Sequence, residues 1–463
     1  MFIRNQSTIL YFNNMEHYTV TKAAFGKDFI WGVSASALQT EGATAEDGKG
    51  PSIWDEFVQQ KNTVENGDTH FEATNFYTHY EKDIEMIKKL GIPNFRFSLS
   101  WSRILPNGTG EVNQKGLDFY HKVIDCCIAN QINPWITLYH WDLPKELENQ
   151  GGWTNRSILD WFEAYVTICV NAFGAKVKYW MVLNEPMVFT GAGYFLGVHA
   201  PGKKGFKNFI PALHHAVLCQ AIGYRTIKSI QPSAEVGTTF SCSYITPHSN
   251  SSKDFKAAER VDALLNRVFI ETSLGLGYPT EDLPFLRKIA KYQRAGDREL
   301  MQVEFDFIGI QNYTREVVAH CIYTPYMNAK MIPADRRKVF YTAMNWEVYP
   351  EAIFEMVRKF SSYEGVKKIL ITENGASFPD QVVDGKVVDD HRTNYLKANI
   401  EQTLLAKSLY PKLQGYFVWS LTDNFEWAEG YKQRFGLIHI DYATQKRTIK
   451  NSGWWYKNFL EDV

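Results

Sequence analysis

The chain has 463 residues, is 45% hydrophobic and 22% charged, and sets 50 Lys+Arg against 51 Asp+Glu for a formal charge of −1. That length accommodates either a large α/β barrel or several smaller domains, while the even charge balance excludes an electrostatic case for nucleic acid or an anionic membrane as partner. Aromatic residues reach 15%, a surplus that serves core packing or, where rings face a cavity, stacking on the apolar faces of sugars.

Residues 1–26 show no hydrophobic period and read as an N-terminal extension, followed by one domain over 27–463. The apolar run Ile9-Leu10-Tyr11-Phe12 is too short for a signal peptide and no later run has transmembrane length, so a cytoplasmic protein is expected. The six cysteines form no C-x-x-C pair or metal spacing and read as small hydrophobes in a reducing compartment.

The first strand is predicted over 29–34, and the loop after it carries Gln39-Thr40-Glu41-Gly42 and the Gly/Pro-rich 46–51. A helix over 74–90 places Phe76, Tyr80, Ile84 and Ile87 on one face and ends at Gly91 in the left-handed region. Strand 94–101, helix 117–128 and strand 134–139 follow, the last running into His140-Trp141-Asp142. Helix 158–173, with Trp161, Phe162, Tyr165, Ile168 and Cys169 inward, leads to strand 179–183 and then Asn184-Glu185-Pro186. Helix 212–230 and strand 235–240 come next, then strand 305–310. Helix 351–360 leads to strand 368–371, which runs into Thr372-Glu373-Asn374 and a turn-forming Gly375; helix 394–409 leads to strand 415–420. Eight strands alternating with helices predict an α/β fold, a single-domain (β/α)8 TIM barrel with its active site at the C-terminal ends of the strands. Segments 42–73, 242–304 and 314–346 are expected to be loops and inserts over that face.

Glu185 and Glu373 each end an apolar strand, far apart in the chain. A lone strand-end glutamate is more often a salt-bridged rim residue, but two in short Asn-containing motifs at equivalent strand ends predict a pair facing across a barrel mouth. Carboxyls about 5 to 5.5 Å apart suit a retaining glycosidase, and about 6.5 to 9.5 Å an inverting one. Other motifs fail on spacing. Gly191 to Gly197 is too long for a dinucleotide fingerprint, G-x-S-x-G is absent, and His214-His215 point to different faces of a helix with no H-E-x-x-H. No metal and no cofactor are expected.

Taken in order, several motifs resemble those of the family 1 glycoside hydrolases, typified by β-glucosidases: Asp28 to Gly32 with Gln39 to Gly42 and Glu46 to Trp54; Arg96-Phe97-Ser98; His140 to Pro144; Asn184-Glu185-Pro186; Thr372 to Gly375; and Trp419-Ser420-Leu421 with Asn424 to Trp427. The resemblance spans Phe29 to about Trp455. It implies Glu373 as nucleophile and Glu185 as general acid and then base, with Arg96 and Tyr313 contacting the nucleophile and favouring its ionised form. It further implies that Gln39, His140, Asn184 and Glu426 hold sugar hydroxyls, that Trp419 is a stacking platform, and that Trp427 adds a contact.

Relatives acting on 6-phosphorylated β-glycosides carry a small hydroxyl residue, a Lys and a Tyr where this chain has Glu426, Gln433 and Phe435, so an unphosphorylated glycone is expected. Gln311 stands where the family commonly has Asn, so its amide is expected near the acid with altered geometry. The expected activity is that of a retaining exo-β-glucosidase on small-molecule β-glucosides or cello-oligosaccharides, with some β-galactosidase and β-fucosidase activity. A non-catalytic sugar-binding barrel and a transglycosylase remain as alternatives. Oligomeric state, monomer or homo-oligomer, is left open.

Overall fold

The computed structural model describes residues 20–461. Most of the predicted N-terminal extension, 1–19, lies outside the described residues. Eight parallel strands close into a barrel: β1 (Ile30–Ser34), β2 (Asn94–Ser98), β3 (Asn133–Tyr139), β4 (Tyr179–Asn184), β5 (Glu235–Ser241), β6 (Phe307–Gln311), β7 (Ile369–Asn374) and β8 (Leu413–Trp419). Each pairs with its sequence neighbours, and β8 pairs back onto β1 with Ile30 opposite Gly415 and Ser34 opposite Trp419. The strands are buried almost throughout. Burial on both faces is why they read in the sequence as apolar runs rather than as clean alternations.

The barrel interior is layered. Trp135, Met181, Phe307, Leu370 and Phe417, with Ile30 and Tyr179 at the edge, form an apolar plug across the lower barrel. The Trp135 and Tyr179 rings stack at 3.8 Å with an interplanar angle of 6°. Arg96 rests on this plug, its Nε donating to Thr137 Oγ1 at 3.1 Å and to Met181 Sδ at 3.0 Å. The plug therefore does two jobs: it supplies core stability, and it forces the first polar layer upward to the C-terminal strand ends.

The helices follow the predicted pattern with shifted ends. Gly91 does end the helix Phe76–Lys89 with φ +67°. The helix expected at 212 begins at Phe206, so Pro211 lies inside it. In the helix Ile158–Phe173, Phe162, Tyr165 and Cys169 are buried whereas Trp161 and Ile168 are only half-buried. Gly375 is not a left-handed turn residue. A Cβ there would lie 1.8 Å from the Trp419 carbonyl oxygen, so the glycine is required by close approach of β7 to β8.

Two of the expected loops carry structure of their own. Tyr244–Pro247 pairs parallel with Arg315–His320, which pairs antiparallel with Ala329–Met331. The helix Ser252–Asp262 packs Ala257, Ala258 and Val261 against Val318 and Ala329 of that small sheet. No helix among the described residues is long and apolar enough to cross a membrane.

Candidate active site

At the C-terminal strand ends lies a cavity of 340 Å³ whose wall includes His140, Glu185, Tyr313, Glu373, Trp419, Glu426, Trp427 and Phe435. Eight of the twelve residues singled out from the sequence thus share one wall. The other four, Gln39, Arg96, Asn184 and Gln311, are fully buried in a hydrogen-bonded layer around it.

Glu373 is held from two sides. Tyr313 Oη donates to its Oε2 at 2.6 Å, while Arg96 Nη1 pairs with Oε1 and Gln311 Nε2 donates to the same oxygen at 2.8 Å. Gln311 therefore departs from expectation: its amide sits with Glu373 and also donates to Asn184 Oδ1 at 2.8 Å. The physical reason is its place as the last residue of β6, opposite Glu373 in the β6–β7 register, from which the extra methylene carries the amide across to β7.

Asn184 Oδ1 also accepts from Arg96 Nη2 at 2.5 Å and from Thr239 Oγ1 at 3.0 Å. Its NH2 group therefore faces His140 Nε2, 3.0 Å away, which must accept. Burial, with the Arg96 charge adding to it, holds His140 well below the usual imidazole range, so the ring is neutral and carries its hydrogen on Nδ1, which has no acceptor among the described residues.

Burial raises both acids, but unequally. At Glu185 burial comes first and the negative charge of Glu373 adds to it, with Ser241 and Arg96 opposing, so its carboxyl lies well above the ordinary range. At Glu373 burial also raises the carboxyl, but Arg96 and Tyr313 both pull it down. The proton of the pair consequently rests on Glu185 and the negative charge on Glu373. Glu185 takes φ +46° as it caps the helix Pro186–Gly191, and Trp141 and Trp427 in the same wall take +74° and +55°. Left-handed backbone at three non-glycine residues stores strain of about 1 to 3 kcal/mol each, a burden that clusters at working sites.

The segment after β8 brings Glu426 and Trp427 to the cavity. Asp423 anchors it, accepting from Lys450 Nζ at 2.6 Å, Arg434 Nη1 at 2.8 Å and the Gly436 amide at 3.0 Å. Gln39 Nε2 ties the same segment to β1, donating to Asn424 Oδ1 at 3.0 Å and to Glu426 Oε2 at 3.3 Å. Burial, helped by the charges of Glu373 and Glu429, pushes Glu426 up to about 8. The Trp419 ring lies nearly parallel to His140 with centroids 6.1 Å apart, and Trp427 packs on Trp141 at 4.4 Å.

The sequence reading missed Glu316, Met344, Trp346 and Glu429, which also line the wall. Three of them sit in segments without a helical or strand period, and a Trp in an otherwise polar loop was the one available signal. His214 and His215 are structural: His214 Nε2 meets Asp297 Oδ2 at 3.0 Å and His215 Nδ1 meets the Trp153 carbonyl at 2.8 Å.

A family profile described as glycosyl hydrolase family 1 matches residues 21–462. The chain is 41% identical over 440 residues to a 1,4-beta-D-glucan glucohydrolase of Thermotoga neapolitana, covering 95% of this chain and 98% of the relative. It is equally similar to beta-glucosidase A of Thermotoga maritima, at 41% identity with the same coverage. The solved structure of a beta-glucosidase from Thermotoga maritima in complex with glucoimidazole superimposes with a TM-score of 0.91 at 40% identity, covering 95% of this chain and 99% of that one.

Proposed function

Because the chain belongs to glycosyl hydrolase family 1, we propose that it is a retaining, exo-acting β-glucosidase that removes terminal β-D-glucosyl residues from small-molecule β-glucosides or cello-oligosaccharides. The observation that carries this reading is the polarised acid pair: Glu185 and Glu373 share one cavity, with the proton drawn to the first and the charge to the second.

In the first half-reaction a Glu373 oxygen attacks the anomeric carbon as Glu185 gives its proton to the departing glycosidic oxygen. Bond formation neutralises Glu373. Glu185 then loses the neighbouring charge that had raised it, its pKa falls, and as a carboxylate it takes a proton from the water that attacks the glycosyl-enzyme. Both steps invert, so the product keeps the β configuration.

Exo action is part of the same proposal. Glu426, the His140 Nδ1–H and the Trp419 ring provide an acceptor, a donor and a stacking face for one pyranose. Among the described residues no Lys or Arg lines the cavity, while Glu373 there carries negative charge, which supports an unphosphorylated glycone even with Glu185 and Glu426 largely protonated near neutrality. β-Galactosides and β-fucosides are proposed as secondary substrates. A purely sugar-binding barrel would have no use for the polarised pair, and transfer to sugar acceptors would employ the same two acids.

The test is a panel of aryl β-glucosides, galactosides, fucosides and 6-phosphoglucosides with the first-formed anomer followed by NMR. The β-glucoside is expected to lead, the 6-phosphoglucoside to fall roughly a hundred-fold or more in kcat/KM, and the first product to be β. An α product would remove the retaining mechanism. A second expectation concerns pH. Tyr313→Phe removes a donor that lowers Glu373, so Glu373 needs a higher pH to ionise and the acidic limb of the kcat/KM profile moves upward. An acidic limb that stays in place would show that Tyr313 does not tune this carboxylate.

A further inference from the structure

The wall of the cavity contains two carboxyl groups with no assigned work, Glu316 and Glu429. The Glu316 carboxyl accepts no hydrogen bond and makes no ion pair among the described residues, whereas Glu429, the other unassigned acid in the wall, is engaged by Gln433 Nε2 at 3.2 Å. Its position follows from the chain. Three residues beyond Tyr313, the strand Arg315–His320 alternates its side chains: Thr314 and Glu316 face the cavity, and Arg315 turns away to pair with Glu347 at 2.8 and 2.9 Å. That strand pairs with Tyr244–Pro247, placing Glu316 opposite Ile245. Tyr244–Pro247 in turn continues directly from the end of β5, where Ser241 stands beside Glu185. Glu316 is thus carried on the sheet that rises from the Glu185 side of the mouth, away from Gln39 and Glu426 on the β8–β1 side. The proton donor acts on the departing oxygen, so the Glu185 side is the leaving-group side.

From this placement we infer that Glu316 is a specificity-determining residue that accepts hydroxyl groups of the leaving moiety, so that the site is built for a polyhydroxylated aglycone, a second sugar, in preference to an apolar aryl or alkyl one. The inference rests on the β-glucosidase reading and deepens it. Burial, opposed by the Arg337 charge and helped by Glu347, holds the half-buried Glu316 up at about 7, and no protein hydrogen bond offsets the water its carboxyl gives up. A sugar hydroxyl supplies such a bond. The Trp346 ring, 5.2 Å from Tyr313, adds a flat apolar face in the same wall, the usual companion of hydroxyl-directed contacts in sugar recognition. An apolar leaving group would instead leave the carboxyl desolvated and unpaired.

The experiment compares kcat/KM for cellobiose and for p-nitrophenyl β-glucoside in the wild type, Glu316→Ala and Glu316→Gln. The two substrates share the glycone and differ in the leaving group. In Glu316→Ala the cellobiose-to-aryl ratio is expected to drop roughly ten- to hundred-fold, the range for losing a hydrogen bond to a charged group. Glu316→Gln keeps one acceptor oxygen in the same place and is expected to restore part of the ratio. A ratio that stays level in both variants overturns the assignment, whether the two activities hold or fall together. A wild type that cleaves neither substrate would instead overturn the β-glucosidase reading, so the two failures are distinguishable.

Discussion

Glu373→Ala is expected to abolish turnover of every β-glucoside, by roughly 10⁵-fold or more, the scale on which removal of a covalent nucleophile acts. The variant is expected to keep its fold, because the lost carboxylate is replaced by space at the cavity floor and the apolar plug beneath Arg96 is untouched. Azide is small enough to enter that space. With an activated aryl glucoside it is expected to attack the anomeric carbon from the vacated side and give the α-glucosyl azide, an inverted product. Absence of rescue in a folded variant, or a β-azide, would count against Glu373 as the attacking group.

The second large effect is expected from Glu185→Gln, and its sign depends on the leaving group. From cellobiose the departing group is glucose, a poor leaving group whose oxygen needs protonation, so cleavage is expected to slow by roughly 10² to 10⁴-fold, the usual worth of a positioned general acid. Dinitrophenolate departs unaided from its glucoside, so the first step is largely spared while water attack on the glycosyl-enzyme loses its base. The covalent intermediate is then expected to accumulate, visible as a burst. Added azide, which needs no base, is expected to release it as the β-glucosyl azide. Opposite azide stereochemistry in the two variants separates the roles of the two acids in a way that rate losses alone do not. Equal slowing of both substrates by Glu185→Gln would remove Glu185 from the proton-transfer role.

The electrostatic asymmetry behind both expectations comes from neighbours rather than from the acids. Each is buried, and burial alone raises a carboxyl. Glu373 differs because Arg96 and Tyr313 reach it from β2 and from just beyond β6, while Glu185 feels chiefly the charge of Glu373. The pH dependence of activity therefore has a definite sense: loss on acidification as Glu373 gains a proton, and loss on alkalinisation as Glu185 gives one up.

Much of this was legible along the chain. Barrel strands buried on both faces appear as short apolar runs, and a run that stops on a polar residue marks the end where a parallel barrel collects its chemistry. Tyr179 to Leu183 stopping at Asn184-Glu185, and Ile369 to Ile371 stopping at Thr372-Glu373, announced both acids and the faces they occupy. Helix ends were less legible, as the start at Phe206 ahead of Pro211 shows, because local rules disfavour a proline past the first turn and tertiary packing overrides them.

Several contacts made across the barrel could not be read in the chain. Gln311 lies with Glu373 rather than with Glu185 because the β6–β7 register sets it there. Glu316 and Trp346 enter the wall because a small sheet forms inside segments without a period of their own, and Asp423 holds the Glu426 segment through Lys450 and Arg434 far beyond it. Local pattern specifies which residues alternate and where strands stop; closure of the barrel alone brings remote side chains within hydrogen-bonding range, excludes water from them, and so settles which carboxyl keeps its proton.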